Sequence, residues 1–203
     1  MANQQLKVQP ISVVKLRFGI RGTAPLIQHN WSEKGLEMMR LTAPERRKKP
    51  KAARNPEAEA EAAMYKTEDG NPGVPILAIK SALISAAHKD LGIEKTLVKK
   101  SLFFPCADAN KCVPLTSEEP PICREDIVRI GANQTDLRYR PEVAQWRLVI
   151  ECEVDTEALS QQDVVNLVNR AGFGVGIGEW RPEKGGEYGR FEIDTTVPLE
   201  VLK

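Results

Sequence analysis

The alternation of apolar and polar positions along the chain predicts two long β-strands. In residues 11–20 every second side chain is apolar, and the positions between them include Lys15 and Arg17. Residues 146–154 repeat this period, with Cys152 on the apolar side. Each strand therefore has one face for a protein core and one face for solvent.

Helical spacing of apolar side chains predicts a helix after each strand. Residues 75–92 repeat apolar positions three and four apart. Further along the chain, Ser160 and Asp163 form a capping box that opens a helix over residues 161–171. Gly172 is expected to end that helix, because glycine readily adopts the backbone conformation found at helix C-termini.

The remaining segments have weaker patterns. Residues 96–105 are predicted to be extended, with both phenylalanines of that segment buried. Residues 125–131 suit a short strand, residues 133–141 suit a turn, and residues 190–198 suit a closing strand.

This order of elements predicts an α+β fold of the ferredoxin-like type. Two strand–helix units that share one antiparallel sheet form the split βαβ plan. The helices then cover one face of the sheet and leave the other face open. Open sheets of this kind, when they carry aromatic and basic residues, bind single-stranded RNA in small modules.

Residues 41–73 differ in character from the rest of the chain. From Arg40 to Arg54 there are seven basic residues and one acidic residue, and large apolar side chains are scarce. Such a segment cannot bury enough apolar surface to fold alone. We therefore expect one domain, residues 1–203, that carries residues 41–73 as an exposed, mobile and basic insertion.

Composition limits the class of protein. The 29 basic and 28 acidic residues nearly cancel, so a nucleic-acid partner must be argued from local clusters of charge. Apolar runs stay well short of the roughly 18 residues of a membrane helix, and residues 1–10 lack the pattern of a secretory signal. These features predict a cytoplasmic protein with no membrane partner. The four cysteines lack the paired spacing of a zinc site, so free thiols are expected and no metal or cofactor is predicted.

Half of the 14 glycines lie in one stretch, residues 172–193, and two interpretations of it are open. Glycine lets a backbone bend tightly, so the stretch can be a loop that packs over the sheet with Trp180 as cover. Alternatively, backbone N–H groups without side-chain cover can bind phosphate oxygens. Lys184 would then add charge, and Trp180 and Tyr188 would stack on bases. A helix precedes the stretch and a strand follows it, which is the reverse of a dinucleotide-binding motif.

Residues 164–193 resemble the C-terminal signature of the RAMP superfamily, the CRISPR-associated RNA-binding proteins. In that signature a helix runs into a glycine-rich loop that ends Gly-aromatic-Gly-Arg before a strand. The residues that carry the match are Gly186, Tyr188, Gly189 and Arg190. Residues 73–92 are similar to a second RAMP feature, a proline-led segment that enters a lysine-bearing helix. They have Leu77, Ala78 and Ile79 where the family usually has a glycine–serine pair. The whole chain also resembles a family of uncharacterised phage-encoded proteins.

The resemblance implies a ferredoxin-like core with RNA or single-stranded DNA on its open side. It also implies that residues 41–73 act like the mobile thumb of CRISPR backbone subunits, which stack along a guide strand; a solvated charged loop is the other interpretation. The predicted nucleic-acid-binding residues are Arg17, Arg46, Arg47, Lys48, Lys49, Arg54, Lys80, Arg138, Arg140, Gly176, Gly178, Trp180, Arg181, Lys184, Tyr188 and Arg190.

Three functions follow from these patterns. The leading prediction is a non-enzymatic, phage- or prophage-encoded protein of the bacterial cytoplasm that binds single-stranded RNA or DNA and assembles along the strand. The second is an endoribonuclease, since RAMP nucleases generally use a histidine and His29 follows the first strand; an ordinary loop histidine beside Trp31 is the alternative. The third is a protein–protein module that imitates or inhibits a host CRISPR complex through contacts with its subunits.

Overall fold

The computed structural model describes residues 10–31, 33–48, 53–131 and 134–202. Within these ranges the description leaves out the side chains at positions 33, 34, 46–48, 88–90 and 130. Among the predicted binding residues, Lys49 lies outside the described residues, and so do the side chains of Arg46, Arg47 and Lys48.

The described residues form a mixture of strands and helices. The strands are β1 Val13–Gly22, β2 Leu26–Ile27, β3 Gly73–Pro75, β4 Leu102–Phe103, β5 Cys112–Pro114, β6 Thr116–Ser117, β7 Ile122–Ile130, β8 Gln134–Val143, β9 Trp146–Asp155, β10 Phe191–Ile193 and β11 Glu200–Leu202. The helices are α1 Glu33–Arg40, α2 Ala43–Lys48, α3 Pro56–Ala62, α4 Ile76–Leu91, α5 Lys95–Ser101 and α6 Gln161–Gly174, and a single 3₁₀ turn covers Pro182–Lys184.

The main sheet is built around β1 and β9. These two strands pair antiparallel, in a register that places Phe18 opposite Ile150. Strands β10 and β11 pair with the other edge of β1, and β4 and β6 pair with the other edge of β9. The order across the sheet is therefore β10 and β11, then β1, then β9, then β4 and β6, with every pairing antiparallel.

One face of this sheet forms the core. Alternate side chains of β1 and β9, including Phe18 and Cys152, are almost fully buried beneath α4 and α6, which contribute residues such as Leu83 and Leu167. Each large apolar side chain buried in this way stabilises the fold by roughly 1.5–3 kcal/mol relative to its exposed state. The predicted mixture of helices with an antiparallel sheet, and the buried position of Cys152, are confirmed.

A second sheet contains a long hairpin formed by β7 and β8, with β2 beside β8. The prediction of a turn at residues 133–141 is wrong for residues 134–141, which belong to β8, and residue 133 lies outside the described residues. Strand β8 combines charged side chains with Pro141, so its sequence shows no period of two. The predicted short strand at residues 125–131 is present as part of the longer β7.

Helix α3 lies within the insertion predicted at residues 41–73 and holds it against this hairpin. The helix packs against β7 and β8 and contributes Ala60 to the buried interior, together with Ala63 and Met64 just after it. The side chain of Asn55 caps its first turn by accepting a hydrogen bond from the Ala58 N–H. Residues 53–73 are thus a packed part of the structure rather than a fully exposed loop.

The segment predicted as extended, residues 96–105, is mostly helix α5, which buries Val98. The prediction that both phenylalanines are buried is also wrong: Phe103 is 50% exposed and Phe104 is partly buried. In the short strand β4 the alternation places Leu102 in the core, so Phe103 faces outward, where the Lys80 ammonium lies 4.6 Å from its ring centroid.

Helix α6 continues through Gly172 instead of ending there. A Cβ on Gly172 would lie 1.8 Å from the carbonyl oxygen of Phe191, so this glycine allows α6 to approach β10 closely. The strand predicted over residues 190–198 breaks after β10, because the Asp194 carboxylate accepts hydrogen bonds from the backbone N–H and the hydroxyl of Thr196 and so forms a turn. Pairing with β1 resumes at β11.

Three further properties concern membranes, metals and thiols. None of the helices in the described ranges combines the length and the apolar character needed to span a bilayer. Within the same ranges, no group of three or more histidine, cysteine or acidic side chains is placed to hold a metal ion. The four cysteines carry free thiols, and burial raises the pKa of Cys152 to about 12.

Candidate nucleic-acid interface

The glycine-rich loop, residues 175–190, is folded back on the protein by its own backbone. The Ile177 N–H donates to the Gly189 carbonyl at 3.0 Å, and the Gly189 N–H donates to the Pro25 carbonyl at 2.7 Å. The Glu179 N–H donates to the Ile27 carbonyl at 2.9 Å. These backbone donors are therefore satisfied within the protein and do not form an uncovered row for phosphate.

Close backbone contacts explain two of the glycines. A Cβ on Gly186 would lie 1.7 Å from the Trp180 carbonyl oxygen, and a Cβ on Gly189 would lie 1.8 Å from the Ile177 carbonyl oxygen. Other residues cannot approach a backbone so closely. These contacts favour the interpretation of the stretch as a tightly packed loop.

A cleft of about 570 Å³ lies between this loop, helix α4 and helix α5. Its lining combines apolar residues, such as Leu26, Val74 and Ile177, with polar groups. The polar side chains that line it are Gln28, His29, Tyr65, Ser81, Ser85, Lys95, Lys99, Glu179, Arg181 and Glu183, and the loop adds backbone at Gly176 and Gly178. The cleft thus brings together four predicted site residues: His29, Gly176, Gly178 and Arg181.

Two lysines of α5 face the cleft. Lys95 and Lys99 are four residues apart, which places them on the same side of the helix. Both are exposed, and no carboxylate of the described residues forms an ion pair with either of them. Their ammonium groups are therefore available to bind an anionic ligand.

Arg181 lies on the opposite wall and already has partners. Its guanidinium donates to the Glu183 carboxylate at 2.9 and 3.1 Å and to the Gly178 carbonyl at 3.0 Å. Glu183 also accepts a hydrogen bond of 2.6 Å from the Ser85 hydroxyl on α4. This hydrogen bond, followed by the charge of Arg181, holds the pKa of Glu183 below its ordinary value, so the carboxylate is ionised at neutral pH.

His29 is half-buried at the end of the cleft near β2. Its Nδ1 is buried and has no hydrogen-bond partner among the described residues. Burial lowers the pKa of His29, and the positive charge of Arg140 lowers it further. The imidazole is therefore uncharged at neutral pH. The neighbouring Tyr65 hydroxyl donates to the His29 carbonyl at 3.4 Å.

A network of charged side chains behind the loop joins it to the hairpin. Arg124 donates to Asp126 and Glu142, each at 2.8 Å, and to the Tyr188 hydroxyl at 2.9 Å. Its guanidinium also lies 4.8 Å from the centroid of the Tyr188 ring. Arg140 is only 6% exposed, and it pairs with Asp126 at 3.4 Å. Tyr188 thus connects the loop with the hairpin, and Arg140 connects the two strands of the hairpin. The Arg124 guanidinium already covers the Tyr188 ring, on which a base was predicted to stack.

Arg17 lies on the open face of the main sheet, the side away from α4 and α6. The cations of that face are paired with carboxylates on neighbouring strands. The ion pairs are Lys15 with Glu153 at 3.4 Å, Arg17 with Glu151 at 3.8 Å, Arg17 with Glu200 at 3.3 Å, and Arg21 with Glu192 at 2.6 Å. The open face is therefore closer to electrical neutrality than its basic residues alone indicate.

The other predicted cations also lie away from the cleft walls. Arg54 pairs with Glu59 and Asp136, and Arg138 also pairs with Asp136. The remaining members of the predicted set are placed as follows: Lys80 over the Phe103 ring, Arg190 near Glu187 at 3.9 Å, and Lys184 and Trp180 exposed on the loop. The roles assigned to these residues stay predictions.

Comparison with known proteins shows a similarity at the level of the fold. No protein-family model matches the chain, and no curated protein matches it. Among solved structures, the chain is similar to a protein of the type III-B Cmr-beta bound to cognate target RNA, with a TM-score of 0.51 and 12% identity. The chain shares its fold with a Cmr protein. The match covers 94% of this chain and 61% of that one, so this chain spans less than two thirds of its length.

A further similarity is to Cmr6 from Pyrococcus furiosus, at a TM-score of 0.41 and 12% identity, covering 91% of this chain and 100% of that one. At 12% identity a structural match concerns the fold and assigns no role to any residue.

Sequence reasoning missed Lys95, Lys99 and Tyr65. The two lysines stand in KTLVKKS, of which all but Lys95 was assigned to an extended segment, where residues four apart have no special relation. In a helix, residues four apart lie on the same face. The four-residue spacing of the two lysines is therefore the signal from which a helical assignment would have predicted them. Tyr65 has no comparable signal, because only the fold brings it beside His29.

Proposed function

We propose that this protein is a non-enzymatic binder of single-stranded RNA or DNA, and that the strand's backbone lies in the cleft between α5 and the glycine-rich loop. The observation that carries the proposal is a pair of lysines, Lys95 and Lys99, that line the same cleft as that loop. Neither lysine forms an ion pair among the described residues. Phosphates are the anions that repeat along a strand, and two cations one helical turn apart suit two of them.

The fold supports this proposal. The sheet order, with the last strands beside β1 and β9 on its other side, is compatible with the ferredoxin-like plan, and α4 and α6 cover one face of it. The Cmr protein that shares the fold comes from a structure bound to target RNA. Arg181 and the basic residues of the predicted insertion would add further phosphate contacts.

The test is fluorescence anisotropy of a labelled 30-nucleotide single strand, as RNA and as DNA, over a range of salt concentrations. The variant Lys95→Ala/Lys99→Ala should bind more weakly than the parent. Its plot of log affinity against log salt should be less steep by about 1.4, since each single-strand phosphate contact contributes about 0.7 to the slope.

Lys100→Ala is the matched control, because Lys100 lies on the same helix but does not line the cleft. The control should keep the affinity and the salt slope of the parent. A loss in Lys100→Ala half as large as that in the double variant would mean that α5 acts only through general charge, because the control removes one positive charge and the double variant removes two. No binding by the parent at low salt would refute the proposal.

A second candidate function is metal-independent cleavage of RNA by His29. The observation in its favour is the position of an uncharged imidazole in the cleft, because a general base must be unprotonated to accept a proton. His29→Ala should then abolish cleavage of a bound RNA while keeping its affinity. A parent protein that cleaves no RNA would exclude this candidate.

Several finer predictions extend the proposal. They are phage origin, a cytoplasmic location, assembly of several copies along one strand, and contact with host CRISPR subunits. The protein–protein alternative predicts that CRISPR subunits copurify with this protein in the absence of nucleic acid, whereas the main proposal predicts that nuclease treatment releases them.

A further inference from the structure

Trp180 has an unusual backbone for a large residue. Its φ angle is +53°, in the left-handed region that bulky side chains rarely adopt. The residue stands between Glu179 and Arg181, which both line the cleft. A strained conformation is therefore fixed at the edge of the proposed binding site.

The surrounding loop enforces this conformation. The Trp180 carbonyl accepts the Tyr188 N–H at 3.1 Å, and the absence of a side chain on Gly186 leaves room for that carbonyl. Trp180 is nevertheless 43% exposed, so this conformation does not bury the side chain in the core. Residues held in rarely populated backbone conformations cluster at functional sites.

A second exposed indole lies next to another residue of the cleft. Trp31 is 56% exposed, and its ring centroid is 6.4 Å from that of His29, which lines the cleft. The third tryptophan, Trp146, is 1% exposed in the core. Two of the three tryptophans are therefore exposed next to residues that line one cleft, although tryptophan is usually well buried.

We infer that Trp180 and Trp31 stack on unpaired bases, so that the cleft selects single-stranded nucleic acid over a duplex. This inference rests on the proposed function. A single strand presents both phosphates for Lys95 and Lys99 and free base faces for the two indoles. A duplex presents the phosphates, but its base faces are already stacked inside it, and an acidic peptide lacks such faces.

The experiment follows intrinsic tryptophan fluorescence during titration with single-stranded RNA, single-stranded DNA and a duplex of the same sequence. Single strands should quench the two exposed indoles, and Trp146 should supply a residual emission that does not change. Trp180→Asn should weaken single-strand binding by about tenfold, which is within the range measured for loss of one stacked base. Trp31→Ala should also weaken it and remove part of the quenching.

Asparagine is chosen at position 180 because it tolerates the left-handed conformation better than other residues. The variant should therefore unfold at the same temperature as the parent or at a higher one, which separates loss of binding from loss of structure. Trp31→Ala provides a second variant at an exposed site.

The outcomes distinguish the two proposals. If the parent binds single strands and Trp180→Asn binds equally well with unchanged quenching, the stacking inference is wrong and the phosphate site stands. Equal affinity for the duplex would also overturn the inference. Absence of any binding by the parent would remove both proposals. A difference between the RNA and DNA titrations would identify which strand the site accepts.

Discussion

At the scale of single residues, adjacent glycines of the loop meet different requirements. Gly185 has a φ of +79° but open space around its Cα, whereas Gly186 faces the Trp180 carbonyl at a distance that excludes a Cβ. The sequence shows only two glycines in a row. Torsion angle and contact distance, which separate their roles, are properties of the folded chain.

These roles predict a difference in stability between two alanine variants. Gly185→Ala should cost about 1 kcal/mol, the price of a left-handed alanine. Gly186→Ala should cost about 3 kcal/mol, because the backbone must move to relieve the overlap. Urea unfolding measures both, and equal midpoints for the two variants would contradict the described loop geometry.

Glu183 competes with phosphate for Arg181. Glu183→Gln should release the guanidinium and increase single-strand affinity by about twofold to fivefold, with a salt slope steeper by about 0.7 if one phosphate contact is gained. The lowered pKa of Glu183 keeps the parent carboxylate charged at neutral pH; its contacts are lost only as the pH falls through that lowered pKa. The gain should therefore be complete at pH 7 and should shrink on acidification.

The control for this variant is Glu157→Gln. Glu157 is exposed, does not line the cleft and forms no ion pair among the described residues. It removes the same charge, so an equal gain in affinity would show that only net charge matters and that Arg181 is not restrained by Glu183.

At the scale of elements, prediction succeeded where one face of an element is buried along its whole length. Strands β1 and β9 and helices α4 and α6 have this property, and their sequences show it as a clear period. Helix α5 is short and contributes few side chains to the interior, such as Val98, so its seven residues contain too little periodic signal. Strand β8 has charged residues directed at the network with Arg124, which an apolar pattern cannot reveal.

The candidate site was predictable only in part for the same reason. The glycine-rich loop is visible as composition, but the cleft needs β2, the consecutive helices α4 and α5, and the loop to meet, and these three parts are far apart in sequence. Side-chain partners decide which cations remain available. Arg17 and Lys95 are both basic residues in the sequence, and only the structure pairs the first and leaves the second without an ion pair among the described residues.

The contact between hairpin and loop gives a prediction for Tyr188. Tyr188→Leu should lower stability by about 1–2 kcal/mol, because it removes both the hydrogen bond from Arg124 and the ring beneath that guanidinium. Single-strand affinity, measured well below the melting temperature, should stay within twofold of the parent. Normal stability with lost affinity would instead assign Tyr188 to base stacking.

At the scale of the whole molecule, a net charge of +1 conceals an uneven distribution. The open face neutralises its cations by pairing across strands, and the cleft side keeps unpaired lysines. We expect nucleic acid to approach from the cleft side. The variant Lys15→Gln/Arg17→Gln should therefore leave affinity within twofold of the parent and cost less than about 1 kcal/mol of stability, as exposed ion pairs contribute little.

Anisotropy and thermal unfolding check this prediction on the same samples. A loss of affinity in the open-face variant as large as that of Lys95→Ala/Lys99→Ala would place the strand on the sheet, as the first interpretation of the sequence had it.

Strand β7 of the hairpin brings no described apolar side chain into the core, whereas β8 contributes Val143 at the end that pairs with β2. Asp126 is the buried residue of β7 whose side chain is described, and its partners there are Arg124 and Arg140 rather than apolar groups. A hairpin attached in this way can open as a cooperative unit of its own while the main sheet stays intact. Amide protons of β7 would then exchange with solvent long before those of β1, and the protein would have two local stabilities within a single folded state.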